Sequence, residues 1–506
     1  MGYSRATTAG LVGFSGHLVE IEADLSNGLP SVVLSGLPDS ALYEARDRVR
    51  AAITNSGLPW PDRRLTVNLL PADLPKHGSS FDLGMAVAIL GSAGQVPPER
   101  VRDLVLVGEL GLDGAIRPVR GVLPMMLASV RAGFTRAIVP VGNAAEASVV
   151  PGLTVRTCAC LAEIVRYLRD GAPLPPPPPA RTTAARQLPD LADVAGQELG
   201  RRAVEVAAAG GHHLALMGPP GAGKTMLAER LPSVLPELDD PSALEVTALH
   251  SIAGVLDSGA LIRCPPFQAP HHTASVAALV GGGSGLARPG AISLAHRGVL
   301  FLDEAPEFAS RALEAMRQPL ERGEIQLRRT AGGATFPARI QLILAANPCP
   351  CARPAGDVAC ECPPQVRRRY LARLSGPLMD RVDIQVDLSP LSAAELMACD
   401  SAPESSTVVA ARVGRARELA ADRWRRLNHA TNAEVPGAVL RSPRYRPTRA
   451  DTHRLSQRLD SGSLSARGFD RALKVAWTLS DLDGRDRPDG ADIDEALALR
   501  TGEPTR

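Results

Sequence analysis

Aromatic side chains are scarce, at 3% of the 506 residues, which argues against a binding surface built mainly on stacked bases. No apolar run reaches the roughly 18 residues of a bilayer-spanning helix before charge, Gly or Pro interrupts it. The opening residues, MGYSRATTAGLVGFSGHLVEIEAD, lack the continuous apolar segment of a secretory signal. A cytoplasmic protein without a membrane partner is therefore expected. Charge of one sign is also missing: the net charge is only +2, so any contact with nucleic acid must come from a local basic patch. Eight cysteines in so long a chain do not make a disulfide scaffold.

What remains is ordinary globular composition, 45% hydrophobic and 22% charged, in a chain long enough for two or three domains. The clearest punctuation is Pro173 to Pro179, with five consecutive prolines from Pro175. Such a run is an extended spacer that no packed element accommodates. It predicts a front domain over 1–172, a linker over 173–189, a second domain over 190–390 and a last one over 391–506.

In the front domain LTVNLL (65–70) and VLVGEL (105–110) read as strands. SALYEARDRVRAAITNSG (40–57) and FDLGMAVAILGSAG (81–94) read as helices, the first closing on Gly57. Strands mixed with helices imply an α/β or α+β fold. Beyond the linker, HHLALM (212–217) predicts a buried strand and KTMLAERLPSVL a helix directly behind a glycine loop. The last hundred or so residues read as helical, for example SARGFDRALKVAWTLSDLDG (465–484).

That glycine loop is Gly218-Pro219-Pro220-Gly221-Ala222-Gly223-Lys224-Thr225, which fits the phosphate-binding pattern at every fixed position. Glycines let successive N–H groups turn onto phosphates, and the helix N-terminus adds positive potential. Lys224 is expected at the terminal phosphates of ATP, and Thr225 at Mg²⁺. RGVLFLDEAPEF (297–308) supplies the acidic partner. Its apolar strand delivers Asp303 to the magnesium sphere and leaves Glu304 to polarise the attacking water. A third strand, IQLILAANP (340–348), ends on Asn347, an amide able to orient that water or simply to form a turn.

The chain resembles the magnesium-chelatase-like AAA+ proteins of the ComM/YifB type over essentially its whole length. The resemblance rests on GLPDSALYEARDRVRAAITNSG, RLTVNLLPADLPKHGSSFDLGMA, GHHLALMGPPGAGKT, QAPHHTASVAALVGGG, RPGAISLAHRGVLFLDEAPEF, NPCPC and SGPLMDRVD. It implies an α/β multidomain protein: an N-terminal Lon-protease-like (ribosomal-S5-like) α+β domain, a P-loop AAA+ core and a helical C-terminal lid. It implies a homo-oligomeric ring, usually a hexamer, with each ATP at a subunit interface. By motif, Asn347 is similar to sensor 1, Arg381 to the arginine finger and Arg467 to the sensor-2 arginine. Ala305 departs from the family, where a larger apolar residue usually follows Asp-Glu.

The resemblance to Lon proteases brings Ser80 over the nucleophile region, but Leu123 stands where the partner lysine belongs. A serine without a base is a weak nucleophile, so Ser80 is expected to cap the helix that starts at Phe81. Between Glu324 and Arg339, EIQLRRTAGGATFPAR reads as a hairpin. In the family such a hairpin points into the pore, which would bring Arg328 and Arg329 to DNA phosphates; alone, they read equally as a solvated turn. Cys349, Cys351, Cys360 and Cys362, followed by Arg367, Arg368 and Arg369, could hold a structural Zn²⁺ or remain free thiols. His271 and His272 show no matching acidic spacing and read as structural or pore-loop residues.

The function implied by the resemblance is a hexameric, ATP-driven translocase or helicase on single-stranded or branched DNA, promoting branch migration as in natural transformation. A metal-chelatase motor ranks second, because a Lon-like front domain is foreign to chelatase motor subunits. A Lon-like protease ranks third, because of Leu123.

Overall fold

Short runs of Val, Leu, Ile and Phe without polar alternation are the mark of strands covered on both faces. In this computed structural model, Val299–Leu302 and Gln341–Ala346 are such strands, buried at every position. The structure describes residues 2–36, 39–72, 76, 78–178, 188–256, 260–283, 287–329, 332–353, 360–391 and 403–501, with only the backbone given for 39–42, 328–329 and 332.

The second half of the chain is built on one five-stranded sheet. Its order is Phe267–Gln268, Val299–Leu302, Gln341–Ala346, Leu214–Met217, Ile384–Asp387, and every neighbouring pair is parallel. All five strands therefore end on the same edge of the sheet, where ligands of open parallel sheets bind. One face is covered by the helices Glu198–Gly210 and Lys224–Val234. The C-terminal helices Ser406–Trp424 and Ala466–Leu482 share their apolar core.

The front half carries a seven-stranded mixed sheet, in the order Ser31–Ser35, Arg64–Leu70, Ser15–Ser26, Gly2–Val12, Val105–Leu106, Arg136–Pro140, Thr154–Cys158. Alternation decides its faces: Val19, Ile21, Ala23 and Leu25 point inward with Leu65, Val67 and Leu69 from the antiparallel neighbour. A separate apolar cluster joins this half to the other. Leu11, Val105 and Leu123 pack with Leu249 and Ile252 of the helix Asp240–Ala253, and with Phe336 of the hairpin.

The helices expected over 40–57 and 81–94 are Asp39–Asn55 and Asp82–Ser92, with Gly57 and Gly94 at φ +73° just beyond their ends. The strand expected over 105–110 is split into Val105–Leu106 and Glu109–Leu110. The break falls at Gly108, where a Cβ would stand 2.7 Å from Ile116 Cγ2, so the chain must bend past that side chain. Of the proline-rich stretch, 179–187 lies outside the described residues. Its beginning is anchored: the Pro175 carbonyl accepts from the Thr157 backbone N–H at 3.2 Å, and Leu174 is buried.

Candidate nucleotide site

Three strand ends lie side by side because three parallel neighbours end together. Leu214–Met217 runs into Gly218, Val299–Leu302 into Asp303, and Gln341–Ala346 into Asn347. Gly218 passes so close to the next strand that a Cβ would stand 2.5 Å from the Leu388 carbonyl oxygen. Gly221 and Gly223 take φ of +80° and +82°, the left-handed conformation that costs glycine least. Gly223 caps the helix that opens with Lys224. Nothing lies within 4 Å of a Cβ built on Gly221, so the cradle is open where phosphates would enter.

Lys224 is buried. Its Nζ donates to the carbonyls of Gly218 at 2.6 Å and Pro219 at 2.9 Å, and to Asn347 Oδ1 at 3.0 Å. Burial pulls its ammonium below the ordinary lysine value, against the opposing pull of Asp303 and Glu304. Thr225 Oγ1 donates to Asp303 Oδ2 at 2.9 Å. A hydroxyl and a carboxylate, both hard oxygen donors, thus meet beside the cradle, a donor set that suits Mg²⁺. The second Asp303 oxygen accepts from the Glu304 N–H at 2.9 Å.

Glu304 itself is in the left-handed region, at φ +49°, and its carboxylate lies 3.3 Å from His272 Nδ1. No acidic residue stands at matching spacing to His272 along the sequence. The contact arises because Phe267–Gln268 pairs with Val299–Leu300 in parallel register, so QAPHHT and DEAP leave the sheet side by side. Only the strand pairing reveals it; spacing along the chain does not.

Arg381 and Arg467 are brought together, but at the other edge of the sheet. Arg381 is ion-paired with Glu321 and donates to the Pro377 carbonyl. Arg467 is exposed and donates to Asp380 Oδ2 at 3.3 Å. Both line a cavity of about 890 Å³ with Arg297, Arg339, Arg471 and Lys474. His213, Gly298, Gln341 and Asp383 also line it, and they stand at the beginnings of four neighbouring parallel strands, the ends of three of which carry Gly218, Asp303 and Asn347. Each four-residue strand separates the two edges by on the order of 10 Å. Burial, then the like charges of Arg317, Arg467 and Arg471, lower the pKa of the Arg381 guanidinium.

A buried polar network ties this region to the C-terminal helices. His212 Nδ1 lies 3.2 Å from Asp383 Oδ2, and its Nε2 lies 2.7 Å from Thr478 Oγ1. Asn432 donates to Asp481 at 2.8 Å and accepts from Trp424 Nε1 at 2.7 Å. None of these partners is signalled by sequence spacing.

Ser80 does not cap a helix: Phe81 holds the cap position of Asp82–Ser92, without a side-chain cap bond. The reason is that Ser80 is buried and fixed through its backbone, its carbonyl accepting from Gly108 N–H at 3.3 Å and from Thr8 Oγ1 at 3.4 Å. Leu123 is fully buried in the helix Val122–Arg131, and Lys76 Nζ donates to the Pro71 carbonyl. The expected hairpin pairs Glu324–Arg329 with Gly332–Pro337, so both glycines of the expected turn belong to a strand, and 330–331 lie outside the described residues. The four clustered cysteines have Sγ atoms all within 4.8 Å of one another. Arg368 and Arg369 are exposed on the following helix, Pro364–Leu371.

Residues 190–396 match the family described as magnesium chelatase, subunit ChlI; 21–143 match subunit ChlI of Mg-chelatase, and 403–500 its C-terminal part. An uncharacterised protein of Mycobacterium tuberculosis (strain H37Rv), Rv2897c, is 54% identical over 99% of both chains. Protein YifB of Escherichia coli K12 is 40% identical over 99% of this chain and 97% of its own. Competence protein ComM of Haemophilus influenzae is 39% identical over 98% and 96%. A Lon protease of Mycolicibacterium smegmatis is similar over a part only, 30% identical across 36% of this chain and 24% of its own.

Proposed function

This chain belongs to the magnesium-chelatase-like ComM/YifB family, and from that premise we propose that it is a ring-forming AAA+ ATPase that moves DNA strands. The single observation that carries the ring is the separation of the glycine loop from Arg381 and Arg467 on opposite edges of one sheet. In this reading the arginines that serve a nucleotide come from a neighbouring copy. Head-to-tail packing of copies supplies them, and a head-to-tail contact closes into a ring when its rotation allows. Six subunits are the proposed number.

Gly218 to Thr225 would hold the phosphates of ATP, and Thr225 with Asp303 the magnesium, which neutralises phosphate charge when bound. Glu304 takes a proton from the attacking water, and Asn347 orients that water. Lys224, released from the Gly218 and Pro219 carbonyls, meets the terminal phosphates. Arg381 leaves Glu321 to stabilise charge on the transferring phosphoryl across the interface, with Arg467 beside it. The domain plan follows the sequence: a Lon-like front over 1–172, the linker, an AAA+ core over 190–390 and a helical lid over 391–506.

The motor's substrate in this reading is single-stranded or branched DNA, and its task is branch migration in the cytoplasm. The support is the 39% identity to a competence protein across nearly the whole chain. Arg328 and Arg329, in the last positions of the hairpin's first strand, would touch phosphates. Among the described residues no helix is long and apolar enough to cross a membrane. A chelatase motor is the second reading, favoured by the family descriptions that all three matched segments carry, the front one included.

The test is ATPase rate with and without forked DNA at low salt. Wild type is expected to be stimulated, with binding that weakens as salt rises. Lys224→Ala should abolish turnover, and Glu304→Gln should retain ATP while losing about 10²- to 10⁴-fold in rate. ATP hydrolysis without any affinity for forked or single-stranded DNA removes the DNA reading and leaves the chelatase motor.

A further inference from the structure

The nucleotide chemistry assigns the four clustered cysteines no direct part, yet they occupy a decisive position. Cys349 and Cys351 follow Asn347-Pro348 at the end of the strand Gln341–Ala346, and Cys360 and Cys362 immediately precede the helix Pro364–Leu371. Their Sγ atoms converge: Cys349 to Cys351 at 2.8 Å, Cys349 to Cys360 at 3.3 Å, Cys351 to Cys360 at 3.7 Å, and all four within 4.8 Å. Zn²⁺ bonded to four thiolates at about 2.3 Å sets tetrahedral S···S separations of about 3.8 Å. These sulfurs reach that geometry by sub-ångström to about 1 Å movements of side chains, with the backbone already folded around the centre.

We propose that Cys349, Cys351, Cys360 and Cys362 hold one structural Zn²⁺ that staples the Asn347 turn to the helix Pro364–Leu371 and so fixes the water-orienting amide. The surroundings explain why a metal is needed there. Cys349 is buried, but Glu361, Pro363, Pro364, Gln365 and Val366 are exposed. Among the described residues from Pro350 onward no large apolar side chain is buried before Tyr370, and the Arg353–Glu361 ion pair at 2.9 Å is exposed and contributes little. A closed four-thiolate site supplies the missing folding energy.

The staple also reaches the second catalytic strand. Just past the helix, Arg373 Nη1 donates to the Pro306 carbonyl at 3.1 Å and lies 3.4 Å from Glu307 Oε2, in the turn that begins at Glu304. The zinc therefore holds one element that touches Asn347 along the chain and the Glu304 turn through Arg373. This kinetic consequence rests on the ATPase reading; the metal site itself does not.

The experiment uses the full chain, purified under reducing conditions without chelator. Metal analysis should find about one zinc per chain, released stoichiometrically when a mercurial blocks the thiols. Replacement by Co²⁺ should give the thiolate charge-transfer band and strong visible bands of a tetrahedral four-sulfur site. Cys360→Ser with Cys362→Ser should lose the metal and lower kcat for ATP about tenfold with little change in KM. Should the double variant fail to fold, the cobalt spectrum and zinc release of the wild type decide alone. Less than about 0.2 zinc per chain with all four thiols reactive overturns the proposal, as does iron with sulfide in place of zinc. Zinc present with unchanged turnover in the folded double variant overturns the link to Asn347.

Discussion

His272 Nδ1 stands 3.3 Å from Glu304 Oε2, where two parallel strands release their chains side by side. Glu304 is held there at φ +49°, in a conformation that a non-glycine residue adopts only when its surroundings impose it. In the proposed reaction, where Glu304 takes the water proton, this contact makes His272 its positioning residue. His272→Ala should lower kcat for ATP hydrolysis about tenfold, less than the loss in Glu304→Gln, with KM for ATP little changed. His272→Gln, which can still donate to the carboxylate, should recover part of the rate. Equal turnover in wild type and both variants would show that the contact has no part in hydrolysis.

The proposed sharing of one site between two copies makes a prediction that no self-contained site shares. Specific ATPase activity should rise with protein concentration until the assembly saturates. Arg381→Ala should lose about 10³-fold or more in kcat, while its exposed partner Glu321 costs little stability when left alone. Mixing inactive Arg381→Ala with inactive Lys224→Ala should restore activity. In a random head-to-tail mixture about a quarter of the interfaces pair an intact glycine loop with an intact arginine. Steady-state ATPase across mixing ratios reads this directly, and no recovery at any ratio would sink the shared site.

The front half should not cleave peptide bonds. Ser80 is buried, and Leu123, which stands in the place of the partner lysine, is core, so that position offers no base to the hydroxyl. Casein incubated with pure protein and ATP should remain intact, and Ser80→Ala should leave ATPase activity unchanged. Cleavage that disappears in Ser80→Ala would restore the protease reading.

Much of this architecture was legible because buried parallel strands read as apolar runs and the glycine loop sits between one of them and a helix. The strand and helix around Lys224, the strand before Asp303 and the helix ending near Gly57 emerge close to their expected bounds. What escaped was non-local. His272 meets Glu304 only through sheet order, and Arg381 and Arg467 lie across the sheet from Lys224 because the chain enters each strand at one edge and leaves at the other. Ser80 misled for a similar reason: a serine before a helical pattern reads as a cap, but burial against Thr8 and Gly108 decides its place. Local propensity is overridden where tertiary contacts claim the backbone.

Asp383 offers the sharpest test of what holds the nucleotide strands to the C-terminal helices. It is buried, and burial alone would raise its pKa. Arg471, in the helix Ala466–Leu482, and the His212 ring outweigh that and hold its carboxyl far below the ordinary range. A depressed carboxylate pKa contributes stability that is fully present above the unfolded value, about 3.9 for Asp, and is lost as pH falls through the folded value. Arg471→Ala removes the main counter-charge and strands a buried anion, at a cost of about 3 kcal/mol at neutral pH. Burial then dominates, so the Asp383 pKa climbs and the acid-induced loss of stability begins at higher pH than in wild type. Asp383→Asn combined with Arg471→Met removes both charges and should be less destabilised than Arg471→Ala alone. Thermal unfolding followed from pH 7 down to about pH 4 separates the cases. If Arg471→Ala melts at the wild-type temperature throughout that range, the ion pair does not fasten the strands to the helix.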